Sequence, residues 1–388
     1  MRILHTSDWH VGKVLKGQPR VADHIAALAA VVDVAKAEQP DLVIVAGDLY
    51  DSASPTADST RIVTRALTAL RGTGADVVAI GGNHDNGAAL DALRPWADAA
   101  GIALRGGIRS PEDLMVRGRT RDGEEWRLAA LPFVSQRYAV RATEMFSLTA
   151  AEATQTYADH IARLLARLAE GFSADAVNLV TAHLTVIGAK SGGGEREAHT
   201  IMGYAVPATV FPSGAHYAAL GHLHRAQQVI GPCPVRYSGS PLAVDFGEEE
   251  NTAAVSLVDV AVASSAKVRD VPLSAGTPLR TVRGTLAQLS TLDTGDAWLR
   301  VYVAEAPRAG LREDVQAMFP RALQVLVDPK MLPDSASGKA GARPRAGRSA
   351  GELFSDYLTQ RGHADEATEA LFHQLHDDVM SSRQGETG

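Results

Sequence analysis

The sequence predicts a layered α/β fold, followed by a smaller α+β domain and C-terminal helices. Strand and helix patterns alternate over the first 80 residues, and this βαβαβ order is typical of layered α/β domains. Two strand patterns, Asp41–Ala46 and Asp76–Ile80, are near-continuous apolar runs, as expected of strands that are buried on both faces. The chain has 388 residues, which at roughly 100–200 residues per domain predicts two or three domains.

The first domain is expected to span residues 1–264. Arg2–Thr6 predicts its first strand. Val21–Ala37, Thr60–Arg71 and Ala151–Leu168 predict helices, because apolar residues recur there at every third or fourth position. Later strands are predicted at Arg127–Leu131, Val177–Thr181, Tyr217–Leu220, Val235–Ser238 and Ala253–Val258.

Three segments are predicted beyond the first domain. Residues 265–333 predict a small α+β domain, with a helix at Leu311–Met318 among strands at Lys267–Leu273, Leu279–Val282, Trp298–Val303 and Leu323–Val327. Residues 334–350 are rich in Gly, Ser, Ala and Pro and carry four basic residues, which predicts a flexible basic linker. Residues 351–380 predict two amphipathic helices that need an apolar partner surface, on their own domain or on another protein.

Composition and charge exclude several classes of protein. Hydrophobic residues make up 45% of the chain and charged residues 21%, as in ordinary globular proteins. The net charge of −7 argues against a stand-alone DNA-coating protein, so any strong contact with DNA is local, metal-mediated or shared with a partner. The single cysteine excludes an intramolecular disulfide. No apolar run is long enough for a membrane span, and the N-terminus lacks the pattern of a signal peptide. We therefore expect a cytoplasmic protein.

Five short polar motifs carry the chemistry of the chain. Three of them directly follow buried-strand patterns, and residues just past the carboxyl end of a strand face the crevice where α/β sheets bind ligands. The sheet can therefore bring these motifs together although they span more than 200 positions. They are Asp8-Trp9-His10, Gly47-Asp48, Gly82-Asn83-His84-Asp85, Ala182-His183 and Gly221-His222-Leu223-His224.

These motifs predict a site for divalent cations. Carboxylate, amide and imidazole donors suit Mn²⁺, Fe²⁺, Zn²⁺ or Mg²⁺, and the lack of thiolates disfavours a structural zinc site. Asp8 and His10 leave a strand on the same side, so they can bind one ion. His222 and His224 have the same spacing and repeat that geometry. Asp48 is placed to bridge two ions. The predicted donors are Asp8, His10, Asp48, Asn83, His183, His222 and His224.

The charge balance predicts phosphoester chemistry. Two divalent ions carry four positive charges, and Asp8 and Asp48 return two negative ones, so about two positive charges remain for a hydroxide and a phosphate oxygen. That suits in-line attack on a phosphoester. It does not suit hydride transfer, and the chain has no dinucleotide-type glycine fingerprint. Any one of these histidines alone would more often be structural, but their order at strand ends argues for a shared site.

The motifs D-x-H, G-D, G-N-H-D, H and G-H-x-H, in this order, resemble those of the calcineurin-like metallophosphoesterases over about residues 1–260. Within that superfamily the chain is most similar to the SbcD family, the nuclease subunits of bacterial SbcCD complexes. The similarity lies in ILHTSDWHVGK, GDLYDSASP, GNHD, ALGHLH, and YSGSP shortly before Phe246-Gly247-Glu248. The resemblance implies a β-sandwich flanked by helices, with the small domain as a DNA-capping domain.

The resemblance also implies a role for each residue. One ion would be held by Asp8, His10 and His224, the other by Asn83, His183 and His222, with Asp48 between them. His84 would stabilise the transition state and protonate the leaving oxygen instead of binding metal, a role worth roughly 10²–10⁴-fold. Asp85 has two readings, orienting His84 or capping its own loop. Asp51 stands where archaeal and eukaryotic relatives carry a histidine, which favours the bacterial family and leaves a catalytic part for Asp51 open.

The implied function is that of a metal-dependent DNA nuclease subunit acting in DNA repair, recombination and replication. It would be a double-strand 3′-5′ exonuclease and a single-strand or hairpin endonuclease, with two divalent cations, Mn²⁺ first and Mg²⁺ or Fe²⁺ as alternatives. The chain has no P-loop motif, so ATP hydrolysis would belong to an SbcC partner, which would bind the C-terminal helices. A homodimer of this subunit within a heterotetramer is also implied, with no membrane association.

Two other functions compete with this one. A small-molecule phosphodiesterase or a protein phosphatase would use the same metal site, although GDLYDSA and GGNHD differ from the GDxxDRG and RGNHE of the protein phosphatases. The extra domain and the C-terminal helices argue against a minimal cyclic-nucleotide phosphodiesterase. A non-catalytic scaffold would use only the C-terminal helices, but every expected ligand type is present.

Overall fold

The first of two six-stranded sheets contains the N-terminal strand. The structure, a computed structural model, describes residues 1–135, 150–195 and 205–331 and six residues of the C-terminal segment. Four neighbouring strands of the first sheet are parallel, and two antiparallel strands complete it. The strand order is Ser264–Pro272, Ala254–Ala261, Arg2–Thr6, Leu42–Val45, Asp76–Ile80 and Ile102–Arg105.

The second sheet has four parallel strands in its centre and an antiparallel strand at each edge. Its strand order is Gln227–Val229, Val235–Tyr237, Tyr217–Gly221, Val177–His183, Glu125–Leu131 and Met115–Arg119. The two sheets therefore each present parallel carboxyl ends, which is where ligands bind in α/β proteins.

The two sheets pack face to face, and helices cover their outer faces. Ile44 of the first sheet and Leu179 of the second belong to one buried apolar cluster. The neighbour of Ile44 in its strand, Val45, points the other way and packs with residues of the helices Val21–Glu38 and Ala57–Arg71, because side chains alternate between the two faces of a strand. The helix Ala150–Ala169 covers the second sheet through Ile161 and Leu165. The predicted β-sandwich flanked by helices is confirmed.

Shorter elements complete this part of the chain. Helices lie at Gly87–Ala92, Arg94–Ala99 and Pro111–Leu114, and 3₁₀ turns at Ala208–Val210 and Phe246–Glu248. Two small ladders pair Val14–Leu15 with Gln18–Pro19, and Thr185–Val186 with Ala205–Val206.

A three-stranded sheet lies in the region predicted as the second domain. Its strands are Leu279–Gly284, Trp298–Val303 and Ala322–Val327, with the helices Leu286–Leu289 and Leu311–Met318 beside them. We refer to it as the small sheet.

The expectation that Lys267–Leu273 belongs to the second domain was wrong. The strand Ser264–Pro272 pairs with Ala254–Ala261 in the first sheet, so the predicted boundary at residue 265 falls inside that pair. The strand is an edge strand with mostly exposed side chains. Its polar alternation therefore resembles that of a small surface sheet and gave no sign of its true partner.

By its contacts the chain divides into two units, Met1–Val303 with Ala309–Leu326, and Ala304–Arg308 with Val327–Gly388. In the second unit the six described C-terminal residues are all helical, and the rings of Phe354 and Phe372 stack with their centroids 4.1 Å apart. The predicted linker, residues 334–350, lies outside the described residues. Within the described part of the chain, no helix has the length and apolar character needed to cross a bilayer.

Candidate metal centre

The first sheet delivers five of the predicted site residues from the loops at its carboxyl edge. Asp8 and His10 follow the strand Arg2–Thr6, and Asp48 follows Leu42–Val45. Asn83 and His84 follow Asp76–Ile80. Since these three strands are adjacent and parallel, their loops open on the same edge.

The second sheet delivers the remaining three histidines. His183 is the last residue of the strand Val177–His183, and His222 and His224 follow Tyr217–Gly221. These two strands are also neighbours and parallel. The structure therefore brings all seven predicted ligands and His84 together where the edges of both sheets meet.

Asp48 lies at the centre of the cluster. Its Oδ2 atom is 3.4 Å from His183 Nε2, 3.5 Å from His10 Nε2 and 4.0 Å from His84 Nε2. The donor atoms form three groups, and within each group all donor atoms lie within 4.8 Å of one another. They are Asp8 with His10 and His224, Asp48 with His183 and His222, and a group between them that joins His10, Asp48 and His84.

The donor atoms converge in a way that suits cations. His10 Nε2 and His224 Nε2 face each other at 3.0 Å. Asn83 Oδ1 lies 2.9 Å from His183 Nε2 and 2.8 Å from His222 Nδ1. Imidazole nitrogens, carboxylate oxygens and an amide oxygen thus face the same small volume, and such a donor set fits borderline and hard divalent ions.

Left-handed backbone conformations aim several of these side chains. Among the described residues, six non-glycine residues have a positive φ, and four of them are predicted ligands: Asp8, His10, Asp48 and His222. Such conformations cost of order 1–3 kcal/mol each and cluster at functional sites. Strain of this kind is expected where a loop must turn a ligand back over the edge of its own strand.

Glycines beside the predicted ligands lack the Cβ atom that would otherwise overlap neighbouring atoms of the cluster. A Cβ on Gly82 would overlap the carboxylate and backbone nitrogen of Asp48, and a Cβ on Gly47 would overlap the ring of His183. A Cβ on Gly221 would overlap the carbonyl oxygen of Ala46. The glycines of the G-D, G-N-H-D and G-H-x-H motifs are therefore required by close packing around the ligands.

Two histidines are oriented through their second ring nitrogen. His183 Nδ1 donates to the carbonyl oxygen of Ala46 at 2.8 Å, and His224 Nδ1 donates to Glu248 Oε1 at 2.7 Å. Both arrangements leave Nε2 facing the cluster. Histidines that bind metals almost always donate their other N–H to a carboxylate or a backbone carbonyl in this way.

The His84 ring is oriented by a backbone carbonyl. His84 Nδ1 lies 2.9 Å from the carbonyl oxygen of Asp51, which leaves Nε2 toward Asp48. The Asp85 carboxylate accepts hydrogen bonds from the backbone N–H groups of Leu49, Tyr50 and Gly82. The structure thus supports the loop-capping reading of Asp85. Donor distances alone would also admit His84 as a metal ligand, so its catalytic role stays a prediction.

Asp51 contacts the cluster without joining its centre. Its carboxylate lies 3.2 Å from Lys13 Nζ, 3.6 Å from His10 Nδ1 and 4.0 Å from His84 Nδ1. No described residue forms a hydrogen bond of normal length with the buried His10 Nδ1. The Asp51 carboxylate is therefore close enough to favour a proton on that nitrogen, which would leave Nε2 of His10 free to face the cluster.

The electrostatics differ among the ligands. Burial lowers the pKa of His10 to about 3, which keeps the ring neutral. Burial also opposes charge on His183 and His224, but Asp48 raises the pKa of His183 to about 9, and Glu248 raises that of His224 to about 10. Burial would raise the pKa of Asp48, but the surrounding histidines hold it well below its usual range. Metal binding at such histidines displaces protons.

The motifs did not predict two acidic residues that support His224. Glu248 is almost fully buried and accepts from the His224 ring, and Glu195 accepts from the His224 backbone N–H at 3.0 Å. Glu248 stands in the Phe246-Gly247-Glu248 segment and Glu195 in a glycine-rich loop. Neither follows a strand directly, so the rule that located the ligands could not find them.

Comparisons with known proteins agree with this geometry. The family model described as calcineurin-like phosphoesterase matches residues 1–226. The SbcD subunit of the nuclease SbcCD from Bacillus subtilis is 34% identical over 325 residues, which cover 81% of each chain. The Escherichia coli K12 protein of that name is 32% identical over 75% of this chain and 72% of its own. That of Rhodobacter capsulatus is 34% identical over 72% of this chain and 71% of its own.

The fold, the site and the matched residues define a calcineurin-like phosphoesterase. Within that family, the chain belongs to the SbcD subunits of SbcCD nucleases.

Proposed function

We propose that the chain is a metal-dependent DNA nuclease that hydrolyses phosphodiester bonds. The observation that carries the proposal is the convergence of seven donor residues from both sheets, with Asp48 at their centre and His84 Nε2 facing it. The relatives named as nuclease subunits support a nucleic acid as the substrate, and we propose DNA.

The proposed ligand sets follow the observed groups. Asp8, His10 and His224 would hold one divalent ion. Asn83, His183 and His222 would hold the other, and Asp48 would contact both. We propose Mn²⁺, with Mg²⁺ or Fe²⁺ as alternatives, since this donor set suits each of them. When bound, two such ions supply the positive charge that activates water and stabilises the oxygens of an in-line displacement.

His84 would act on the leaving group. The carbonyl of Asp51 accepts from Nδ1, so the ring presents Nε2 to the substrate side, where it can carry and deliver a proton. His84 is nearly buried, with 6% of the residue exposed, and its backbone N–H donates to Asp48 Oδ1 at 2.8 Å. The proton donor is therefore fixed to the residue that would lie between the ions.

The proposed assembly follows the relatives. The names of those relatives place them in an SbcCD complex, so we propose an SbcC ATPase partner for residues 351–380 and a DNA-capping role for the small α+β domain. We further propose a homodimer within a heterotetramer. Ile25, which is 52% exposed on the helix Val21–Glu38 beside Ala57–Arg71, offers apolar surface for that contact. The activities proposed are 3′-5′ exonuclease on duplex ends and endonuclease on single strands and hairpins.

The test is cleavage of linear duplex and hairpin DNA in Mn²⁺ by wild type, His84→Ala and His160→Ala. His160 is a partly exposed histidine on the helix Ala150–Ala169, outside the site, so it controls for loss of an imidazole. We expect His84→Ala to lower the cleavage rate by roughly 10²–10⁴-fold with bound Mn²⁺ unchanged. His160→Ala should cut like wild type.

Hydrolysis of bis-p-nitrophenyl phosphate separates the competing functions. If the small ester is hydrolysed and DNA is not, the assay is repeated with the SbcC partner and ATP. DNA cleavage that appears then supports the nuclease proposal. Continued absence of DNA cleavage contradicts it and favours a small-molecule phosphodiesterase.

A further inference from the structure

A short turn beside the metal centre carries a buried carboxylate that the ligand motifs do not include. Phe246–Glu248 forms one 3₁₀ turn, and Glu248 is 1% exposed. Its Oε1 accepts from His224 Nδ1 at 2.7 Å, and its Oε2 accepts from the backbone N–H of Val244 at 3.0 Å. Both carboxylate oxygens are thus used, and one of them is used on a predicted ligand.

The turn is anchored from the side away from the metal centre. Phe246 is buried in an apolar cluster with Leu15 and Leu279, the latter from the small sheet. Glu249 accepts from the backbone N–H of Thr281, also in the small sheet, at 2.7 Å. Phe246 and Glu249 therefore tie the turn to the small sheet through contacts that do not involve His224.

A glycine-rich loop closes the other side of the carboxylate. A Cβ on Gly194 would overlap Glu248 Oε1, and a Cβ on Gly193 would overlap the backbone of Gly247. Glu195 at the end of this loop accepts from the His224 backbone N–H. The ring and the backbone of His224 are each fixed by a different carboxylate, and glycines allow the two segments to approach.

We propose that Glu248 is a positioning residue for the ligand His224. By accepting from Nδ1–H it selects the tautomer whose Nε2 lone pair faces His10 and Asp8, and it fixes the plane of the ring. A neutral acceptor would select the same tautomer more weakly, because charge-assisted hydrogen bonds are roughly twice as strong as neutral ones. The inference rests on the proposed function, since it assigns Glu248 to one of the two proposed ions.

The test is calorimetric titration of Mn²⁺ into the EDTA-treated full-length chain. We compare wild type with Glu248→Ala, Glu248→Gln and the control Glu250→Ala, which removes the same charge from an exposed position two residues away. Loss of such a supporting partner typically costs 10–100-fold in metal affinity. We expect Glu248→Ala to lower the affinity for one of two Mn²⁺ ions by that factor. Glu248→Gln, which retains an acceptor, should restore part of the affinity, and Glu250→Ala should bind like wild type.

The second ion and a thermal melt without metal distinguish positioning from general damage. The affinity of the ion at Asn83, His183 and His222 should change little in Glu248→Ala. Glu248 would have a merely structural role if Glu248→Ala lowered the affinity for both ions equally and also lowered the melting temperature, and if Glu248→Gln restored neither affinity. Unchanged binding of both ions would overturn the inference and leave the proposed function intact. No Mn²⁺ binding by wild type would overturn the proposed function itself.

Discussion

The two sheets contribute to the candidate metal centre in different ways. The first sheet supplies all the oxygen donors and one imidazole, and three of its four ligands, Asp8, His10 and Asp48, sit in left-handed backbone conformations. The second sheet supplies three imidazoles. Two of these, His183 and His224, are oriented by an acceptor on their second ring nitrogen.

This difference indicates what each side should tolerate. On the first side the backbone sets the direction of a short carboxylate, so added bulk or lost glycines should displace it. On the second side a long imidazole can rotate, so loss of its hydrogen-bond partner should release it. Where that partner is a backbone carbonyl, as for His183, no side-chain substitution removes it. Where the partner is Glu248, as for His224, a single side-chain substitution removes it.

Replacing Asp48 should have the largest effect, because its carboxylate lies close to a histidine of each proposed ligand set. We expect Asp48→Ala to lose at least one ion and to cut DNA more slowly by more than the 10–100-fold typical of supporting residues. Inductively coupled plasma mass spectrometry after Mn²⁺ loading and desalting measures the ions. Asp122→Ala, at an exposed turn, is the matched control. Two retained ions in Asp48→Ala would contradict the bridging position.

Gly82→Ala should show the sensitivity of the first side to bulk. The new Cβ would overlap the Asp48 carboxylate, so Asp48 must move. We expect weaker Mn²⁺ binding and slower cleavage, by about 10-fold or more, in a folded chain. Gly214→Ala is the control, because its Cβ would meet nothing closer than a ring atom of Phe172 at 4.0 Å. Wild-type Mn²⁺ affinity in Gly82→Ala would argue that the Asp48 loop adapts and that the backbone does not fix the carboxylate.

His5 forms hydrogen bonds between the two sheets. Replacing it should have a smaller effect, on the free energy of unfolding and on the pH dependence of that free energy. His5 lies in the first sheet, and its ring bonds Tyr217 Oη at 3.0 Å and the Leu220 carbonyl at 3.1 Å in the second. Burial lowers the pKa of His5 to about 3. Its contribution is therefore fully present above the unfolded pKa of about 6.5 and is lost as pH falls from there toward 3.

Urea unfolding of the metal-free chain between about pH 7 and pH 4.5 measures this contribution. Wild type should lose up to about 1.4 kcal/mol per pH unit more than His5→Gln, which cannot titrate. The two stability curves should therefore converge as the solution becomes more acidic. Parallel curves would show that the joint between the sheets does not depend on a neutral His5.

The sequence predicted the fold and the grouping of the donors because both follow from local rules. Trp298–Val303 and Leu311–Met318 have the predicted bounds, and the helix at Val21–Ala37 extends by one residue to Glu38. Apolar runs identify buried strands, and polar residues at their carboxyl ends must meet at one edge. Those two rules group Asp8 with Asp48 at the edge of the first sheet and His183 with His224 at the edge of the second. That the two edges meet depends on the packing of the sheets, which no local rule predicts.

The remaining features depend on tertiary contacts that leave no local pattern. Glu248 lies in a turn that packs against the small sheet, so nothing beside it in the sequence indicates a partner of a proposed ligand. The strand Ser264–Pro272 was assigned to the wrong domain, since an exposed edge strand looks alike in any sheet. Asp85 could have faced His84 or its own loop, and only the three backbone N–H groups it meets decide between them.

The central claim is that residues of both sheets hold two divalent ions that share Asp48. Anomalous scattering from crystals of the chain soaked in Mn²⁺ tests it most directly. The account predicts two manganese peaks per chain, one beside Asp8, His10 and His224 and one beside Asn83, His183 and His222, with the Asp48 carboxylate contacting both. A single peak, or two peaks contacted by residues of one sheet alone, would contradict it.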